Sequence, residues 1–163
     1  MRFRRLATLV FGAALFGGAA LAQGTTIAFG TMERDADAPV EIVSDELSIN
    51  DASDTAVFSG NVVIAQNDMR LAAPRVEVIY LADRSGIDRL IATGGVTMVS
   101  GDEAAEADRA DYSVEAGTVL LTGNVLMTQG RSSLVSERAT INLDDGTAQM
   151  DGRVRTILQT GEN

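Results

Sequence analysis

From residue 40 onward, apolar and polar side chains alternate along the chain, the period of a strand with one buried face. With Gly60 as a register mark, Phe58, Val62 and Ile64 fall on one side and Ser59, Asn61 and Ala65 on the other. The same offsets pick out Ala92, Val96 and Met98 around Gly94, and Leu121, Val125 and Met127 around Gly123. Around Gly152 they pick out Met150, Val154 and Thr156. One face is apolar in all four copies, with Thr156 the single partial exception. That face is predicted to be the inside.

The four glycines are 34, 29 and 29 residues apart, and each stands in the pattern small polar residue, Gly, any residue, Val. An internal repeat of this kind sets the architecture. Each copy has a second alternating half upstream: Leu47 with Ile49, Tyr112 with Val114, Ile141 with Leu143. Turn sequences separate the halves, at residues 50–54, Glu115-Ala116-Gly117 and Asp144-Asp145-Gly146. In the second copy Val76, Val78 and Tyr80 lie five residues farther upstream, and the extra length falls in the turn Asp83-Arg84-Ser85-Gly86. Every copy thus reads as a strand, a tight turn and a longer strand bent at its glycine, where a residue without Cβ suits a bend. Short strands such as 69–72 and 133–136 are expected to link the copies. Segment 102–110, rich in Ala and Glu, has no apolar stripe at a 3.6-residue period and is expected to be extended. A strand-turn-strand unit of this size cannot bury its apolar face alone. The predicted fold is therefore all-β, its repeated units forming a β-jelly-roll or rolled sandwich around a continuous aliphatic interior.

The first 39 residues follow other rules. Arg2, Arg4 and Arg5 precede an uncharged apolar run over 6–21 that ends Ala20-Leu21-Ala22, which predicts a secretory signal peptide over 1–22, cut after Ala22. The alternative is an uncleaved anchor, since about 17 apolar residues just span a bilayer; Gly12, Gly17 and Gly18 weaken the run as a permanent span. Residues 23–39 are polar and acidic and read as a flexible lead-in, 40–158 as the roll, and 159–163 as a tail.

Charge and composition narrow the chemistry. Thirteen arginines and no lysine stand against 23 acidic residues, and three of the arginines lie within the first five positions, so the chain from Gln23 onward carries a net −13. Such a surface repels phosphate backbones, which speaks against a nucleic-acid partner. With no Cys and no His, Ser-His-Asp and Cys-His nucleophiles, zinc sites and a histidine base are excluded. Carboxylate pairs remain: Asp108 with Asp111, or Asp144 with Asp145, would suit glycan hydrolysis, but acidic residues so placed are what turns use. Asp51, Asp54 and Asp102 lack the spacing of an EF-hand. No enzymatic activity and no cofactor are predicted. The interior row reads either as an ordinary core or as an adaptable apolar surface, to which Met98 and Met127 are suited. The first and last strands of the roll, at 40–44 and 154–158, have no internal Pro, and their unpaired edges predict head-to-tail association of copies.

Three stretches carry a resemblance. Phe58-Ser59-Gly60-Asn61-Val62, the preceding Ser44-Asp45-Glu46-Leu47 and the later Leu121-Thr122-Gly123-Asn124-Val125 resemble the LptA/OstA-like family of periplasmic lipopolysaccharide-transport proteins, over roughly 40–158. The resemblance implies a β-jelly-roll forming part of a bridge between inner and outer membranes, which binds the acyl chains of lipid A and joins end to end by continuing its sheet. Phe58, Val62, Ile64, Val96, Met98, Leu121, Val125 and Met127 would then line the lipid path. The strand near Ile42 would meet an inner-membrane component, and the strand carrying Val154 and Ile157 an outer-membrane one. The family's inner-membrane component is a similar roll on an uncleaved anchor, so the resemblance also allows that role. A structural assembly protein with a closed interior is the reading from a different class.

Overall fold

The computed structural model describes the backbone of Thr25–Ala28 and residues 38–158. The predicted signal peptide, its cut after Ala22 and the 159–163 tail lie outside the described residues, as does most of the 23–39 lead-in. Eleven strands follow: β1 (Thr25–Ala28), β2 (Glu41–Val43), β3 (Glu46–Asn50), β4 (Thr55–Gln66), β5 (Met69–Tyr80), β6 (Ile87–Ser100), β7 (Glu103–Ser113), β8 (Thr118–Gln129), β9 (Ser132–Asn142), β10 (Thr147–Asp151) and β11 (Arg155–Ile157). They form one antiparallel sheet in the order β1-β10-β9-β8-β7-β6-β5-β4-β2, with β3 also on β4 and β11 also on β9. The two ends of this path do not pair, so the sheet is not closed into a barrel. The all-β prediction holds, and segment 102–110 is extended, within β7.

The bend at each glycine is a break in register. Ser59 pairs with Arg75 and Val62 with Ala73, so Gly60 and Asn61 stand opposite Pro74 alone. Thr122 pairs with Arg138 and Val125 with Ser136, setting Gly123 and Asn124 against Glu137. Both residues of each bulge take left-handed backbone, with φ of 77° and 48° at Gly60 and Asn61 and 80° and 49° at Gly123 and Asn124. Two consecutive positive φ values are tolerated best by Gly followed by Asn. A second constraint acts at the glycine. A Cβ on Gly123 would lie 2.4 Å from Asp108 Oδ2, and one on Gly60 2.5 Å from Asp45 Oδ2. Those carboxylates lie across the glycines because the next residue holds them: Asn61 Nδ2 donates to Asp45 Oδ2 at 2.8 Å and Asn124 Nδ2 to Asp108 Oδ2 at 2.9 Å.

Each bulge divides its strand into two arms. Arm A runs through 46–50, 55–59, 75–80, 87–93, 109–113, 118–122, 138–142 and 147–151, and arm B through 41–43, 62–66, 69–72, 96–100, 103–106, 125–129, 132–136 and 155–157. The sheet folds over on this crease. Inward residues of the two arms form one buried cluster, which gives the rolled sandwich. Two expectations change. The linking strands 69–72 and 133–136 are parts of 12- and 11-residue strands, because Pro74 and Glu137 sit opposite bulges and the strand bends there without ending. In addition, Thr25–Ala28, within the stretch read as a flexible lead-in, pairs with β10. β10 leaves an edge in arm A that this four-residue segment satisfies through its backbone, without needing an alternating pattern.

Substituting Gly123 and Gly130 by Ala separates the two constraints. Gly130 has φ +57° with nothing within 4 Å of a built Cβ, so Gly130→Ala is expected to cost only the left-handed backbone strain of about 1 kcal/mol. Gly123→Ala should cost about 1–3 kcal/mol more, since Asp108 must also be displaced. Urea unfolding of both variants checks the difference, and equal losses would remove the carboxylate from the account.

Candidate functional site

The inward residues line up in unbroken rows along the roll. In arm B, register partners run Ile64, Leu71, Met98, Ala105, Met127 and Leu134, one from each of β4 to β9. In arm A they run Ala56, Val78, Leu90, Tyr112, Val119, Ile141 and Ala148. Directly opposed residues project to the same face of a sheet, so each row is a continuous apolar strip. Seven of the eight side chains expected to line a lipid path, Val62, Ile64, Val96, Met98, Leu121, Val125 and Met127, are at most 3% exposed, and Phe58 is half-buried against them. The fold brings all eight into one interior. The arms are closed on one another there.

The polar tie between the arms is a pair that the repeat pattern did not single out. Tyr112 donates its hydroxyl to Gln66 Oε1 at 2.7 Å, and Gln66 Nε2 donates to the Ala38 carbonyl at 3.0 Å. Tyr112 lies in arm A of β7 and Gln66 in arm B of β4, three strands apart in the sheet. The arms are therefore staggered along the roll. One end of arm A projects past its partner. Leu47 and Ile49 of β3, paired with the inward-facing Phe58 and Ala56, are 53% and 65% exposed, an apolar inner face with nothing across from it. A cleft of about 220 Å³ opens at this end between Ile49, Asn50, Asp51, Asp54, Thr55, Tyr80 and Arg84.

The residues expected at the docking edges lie at the two ends. Ile42 is half-buried on β2, opposite Ile64. Ile157 ends β11 and is exposed, while Val154 lies just before that strand, also exposed. The acidic pairs weighed for hydrolysis have local duties. Asp108 holds Asn124, Asp111 forms an ion pair with Arg89, and Asp145 accepts from the backbone and hydroxyl of Thr147. The pairing with Asp111 pushes the Arg89 pKa up, with the hydrogen bond as the larger cause. Arg109 lies 3.6 Å from the same carboxylate. Among the described residues, no three acidic side chains cluster as a metal site would require.

Comparison with known proteins bears on this arrangement. The family model described as "LptA/(LptD N-terminal domain) LPS transport protein" matches residues 41–147, about two thirds of the chain and nearly all of the bent sheet. The chain belongs to this family. The family is one of lipopolysaccharide-transport proteins. An uncharacterized protein of Rhizobium meliloti (strain 1021) is 32% identical over 123 residues, covering 71% of this chain and 66% of that relative's length. The fold is similar to that of LptH, the LptA-homologous periplasmic component of the lipopolysaccharide transport device of Pseudomonas aeruginosa. The two share a TM-score of 0.69 at 16% identity, over 77% of this chain and 98% of LptH. The LptA-like roll expected from Gly-Asn-Val and its repeat is thus the observed one. The Tyr112–Gln66 tie and the strand at Thr25–Ala28 were not foreseen. The first joins residues 46 apart without a motif, and the second, at four residues, is too short to carry an alternating pattern.

Tyr112→Phe is expected to lower the unfolding free energy by about 1–3 kcal/mol, because Gln66 Oε1 is left in a dry interior without its donor. Denaturant unfolding measures the loss. A variant as stable as the parent would show that this hydrogen bond does not hold the arms together.

Proposed function

We propose that this chain is a periplasmic component of the lipopolysaccharide bridge, exported after cleavage at Ala22, which carries the acyl chains of lipid A in its interior and docks end to end with other rolls. The observation that carries this reading is the pair of apolar strips running the length of the sheet, whose inner face continues into solvent at Leu47 and Ile49. A row perpendicular to the strands, open at an end, can pass from one roll to the next. A closed core gains nothing from such an exposed end.

Entry requires the arms to part. Between them stand apolar contacts and the Tyr112–Gln66 hydrogen bond, and an acyl chain replaces apolar contacts with apolar contacts. Each buried methylene stabilises by about 0.8 kcal/mol, so one 12-carbon chain contributes roughly 9 kcal/mol against water. Affinity then needs no charged site. The net −13 of the chain from Gln23 onward keeps an anionic head group in solvent while the protein holds the tails.

Both ends of the roll fit docking by sheet extension. β2 and β3 at one end and β11 at the other leave backbone edges for a partner, and edge pairing of this kind gives affinity through main-chain hydrogen bonds. Ile42 lies at the end that would meet the inner-membrane component, and Val154 and Ile157 at the end that would meet the outer-membrane one. Copies of the chain would join in the same sense.

A photocrosslinking residue placed at Phe58 or Met127 is expected to capture lipopolysaccharide, whereas one at Leu120, exposed on the outer face, should capture none. Failure of both interior sites in a folded protein would favour a purely structural role. Ile157→Pro, which removes a backbone donor from β11, should weaken concentration-dependent association in sedimentation. Unaltered assembly would move the docking edge elsewhere.

A further inference from the structure

Counting strands in the two arms exposes a mismatch at one end of the roll. β4 and β9 each run unbroken through both arms. In arm B they are flanked by β2 on one side and β11 on the other. In arm A they are flanked by β3 on one side, and on the other by β10 with β1 beyond it. Among the described residues, arm A has one strand more than arm B, and the extra strand is β1.

This matters for the end-to-end docking proposed above, on which the following inference rests. Suppose a second copy adds its first strands to this end of the sheet. In arm B, the route from β9 to the second copy's β4 passes β11 and then that copy's β2, two strands in all. In arm A it passes β10 and that copy's β3, again two, but only if β1 is absent. Because the second copy's β4 is continuous through both arms, the two routes must contain equal numbers of strands. With β1 in place arm A is one strand too wide, a step of about 4.8 Å, and both arms cannot be joined at once.

Strand direction agrees with the strand count. β1 lies antiparallel on β10, from Thr25 opposite Met150 to Ala28 opposite Thr147, and so runs away from the crease. β3 runs away from the crease too, from Glu46 opposite Ser59 to Asn50 opposite Thr55. A second copy's β3 would therefore lie on β10 in the direction β1 now takes. We propose that Thr25–Ala28 is a self-cap: it fills the β10 edge of its own chain and competes for it with β3 of a second copy. An unpaired edge is an aggregation hazard, and a four-residue strand covers it while remaining easy to displace.

Since the chain has no cysteine, Thr26→Cys with Gln149→Cys, opposite one another in the register, introduces a single disulfide that locks β1 on β10. The full chain, purified after export, is followed by sedimentation velocity over a range of concentrations, and thermal unfolding confirms that each variant is folded. The oxidised double variant should stay monomeric where the parent associates, and reductant should restore association. Thr26→Pro with Ile27→Pro, which removes β1's pairing to β10, should associate more readily. If the slot is free about a tenth of the time in the parent, apparent affinity rises about tenfold. The inference is overturned if the oxidised variant associates as well as the reduced one, or if the proline variant associates no more readily than the parent. Weaker association of the proline variant also overturns it, since β1 would then be donated between copies. Lipid capture at Met127 is scored on the same samples: capture with unchanged association removes the cap and leaves the transport reading, whereas no capture removes the transport reading whatever the association.

Discussion

The structure depends on one backbone constraint, two consecutive residues at positive φ opposite a single residue on the next strand. It recurs at Gly60-Asn61, Gly94-Gly95, Gly123-Asn124 and Gly152-Arg153, so the breaks fall along one line across the sheet. A bend in a single strand would be a local irregularity. The same bend on alternate strands, with Pro74, Asp108 and Glu137 opposite, folds a whole antiparallel sheet over itself and makes an interior from one sheet instead of two. Aspartates laid across the glycines and tied to asparagines hold the line. The second copy varies the device, with Pro74 packed 3.3 Å from where a Cβ on Gly94 would be and Gly95 in the place of Asn.

Much of this was legible in the sequence because both signals are local. Alternation assigns each side chain a face, and the glycine spacing gives the repeat, so these two signals alone put Val62, Ile64, Val96, Met98, Leu121, Val125 and Met127 on the inner face, where they lie buried. The fourth copy departs from the pattern because the sheet stops there: Val154 and Thr156 have no arm across from them and are exposed. Other features were not legible for physical reasons. Strand continuity through the crease at Pro74 is concealed by a residue that usually ends strands. The Tyr112–Gln66 contact depends on the stagger between arms, a global twist that no stretch of sequence encodes. Thr25–Ala28 is held by backbone pairing to β10, which any side chains permit.

A closed interior and a transport role are compatible on energetic grounds. The walls are aliphatic, with Met98 and Met127 among the fully buried side chains, and apolar packing is non-directional, so exchanging a wall contact for a lipid contact breaks no geometry that must be rebuilt. Binding of this kind has no catalytic step and needs none of the residue types that the chain lacks. In the proposed function, specificity would rest on the width and length of the apolar interior.

The crease also bears on how such proteins diverge. Curvature here is written into main-chain torsions at a handful of positions, while the interior asks of its walls only that they be greasy and of suitable bulk. Wall residues of similar bulk can therefore replace one another without altering the torsions that set the shape, and the fold is shared with LptH, at a TM-score of 0.69, despite 16% identity. In this chain the bulge glycines, with Asp45, Pro74, Asp108 and Glu137 laid across them, leave the least room for a larger side chain.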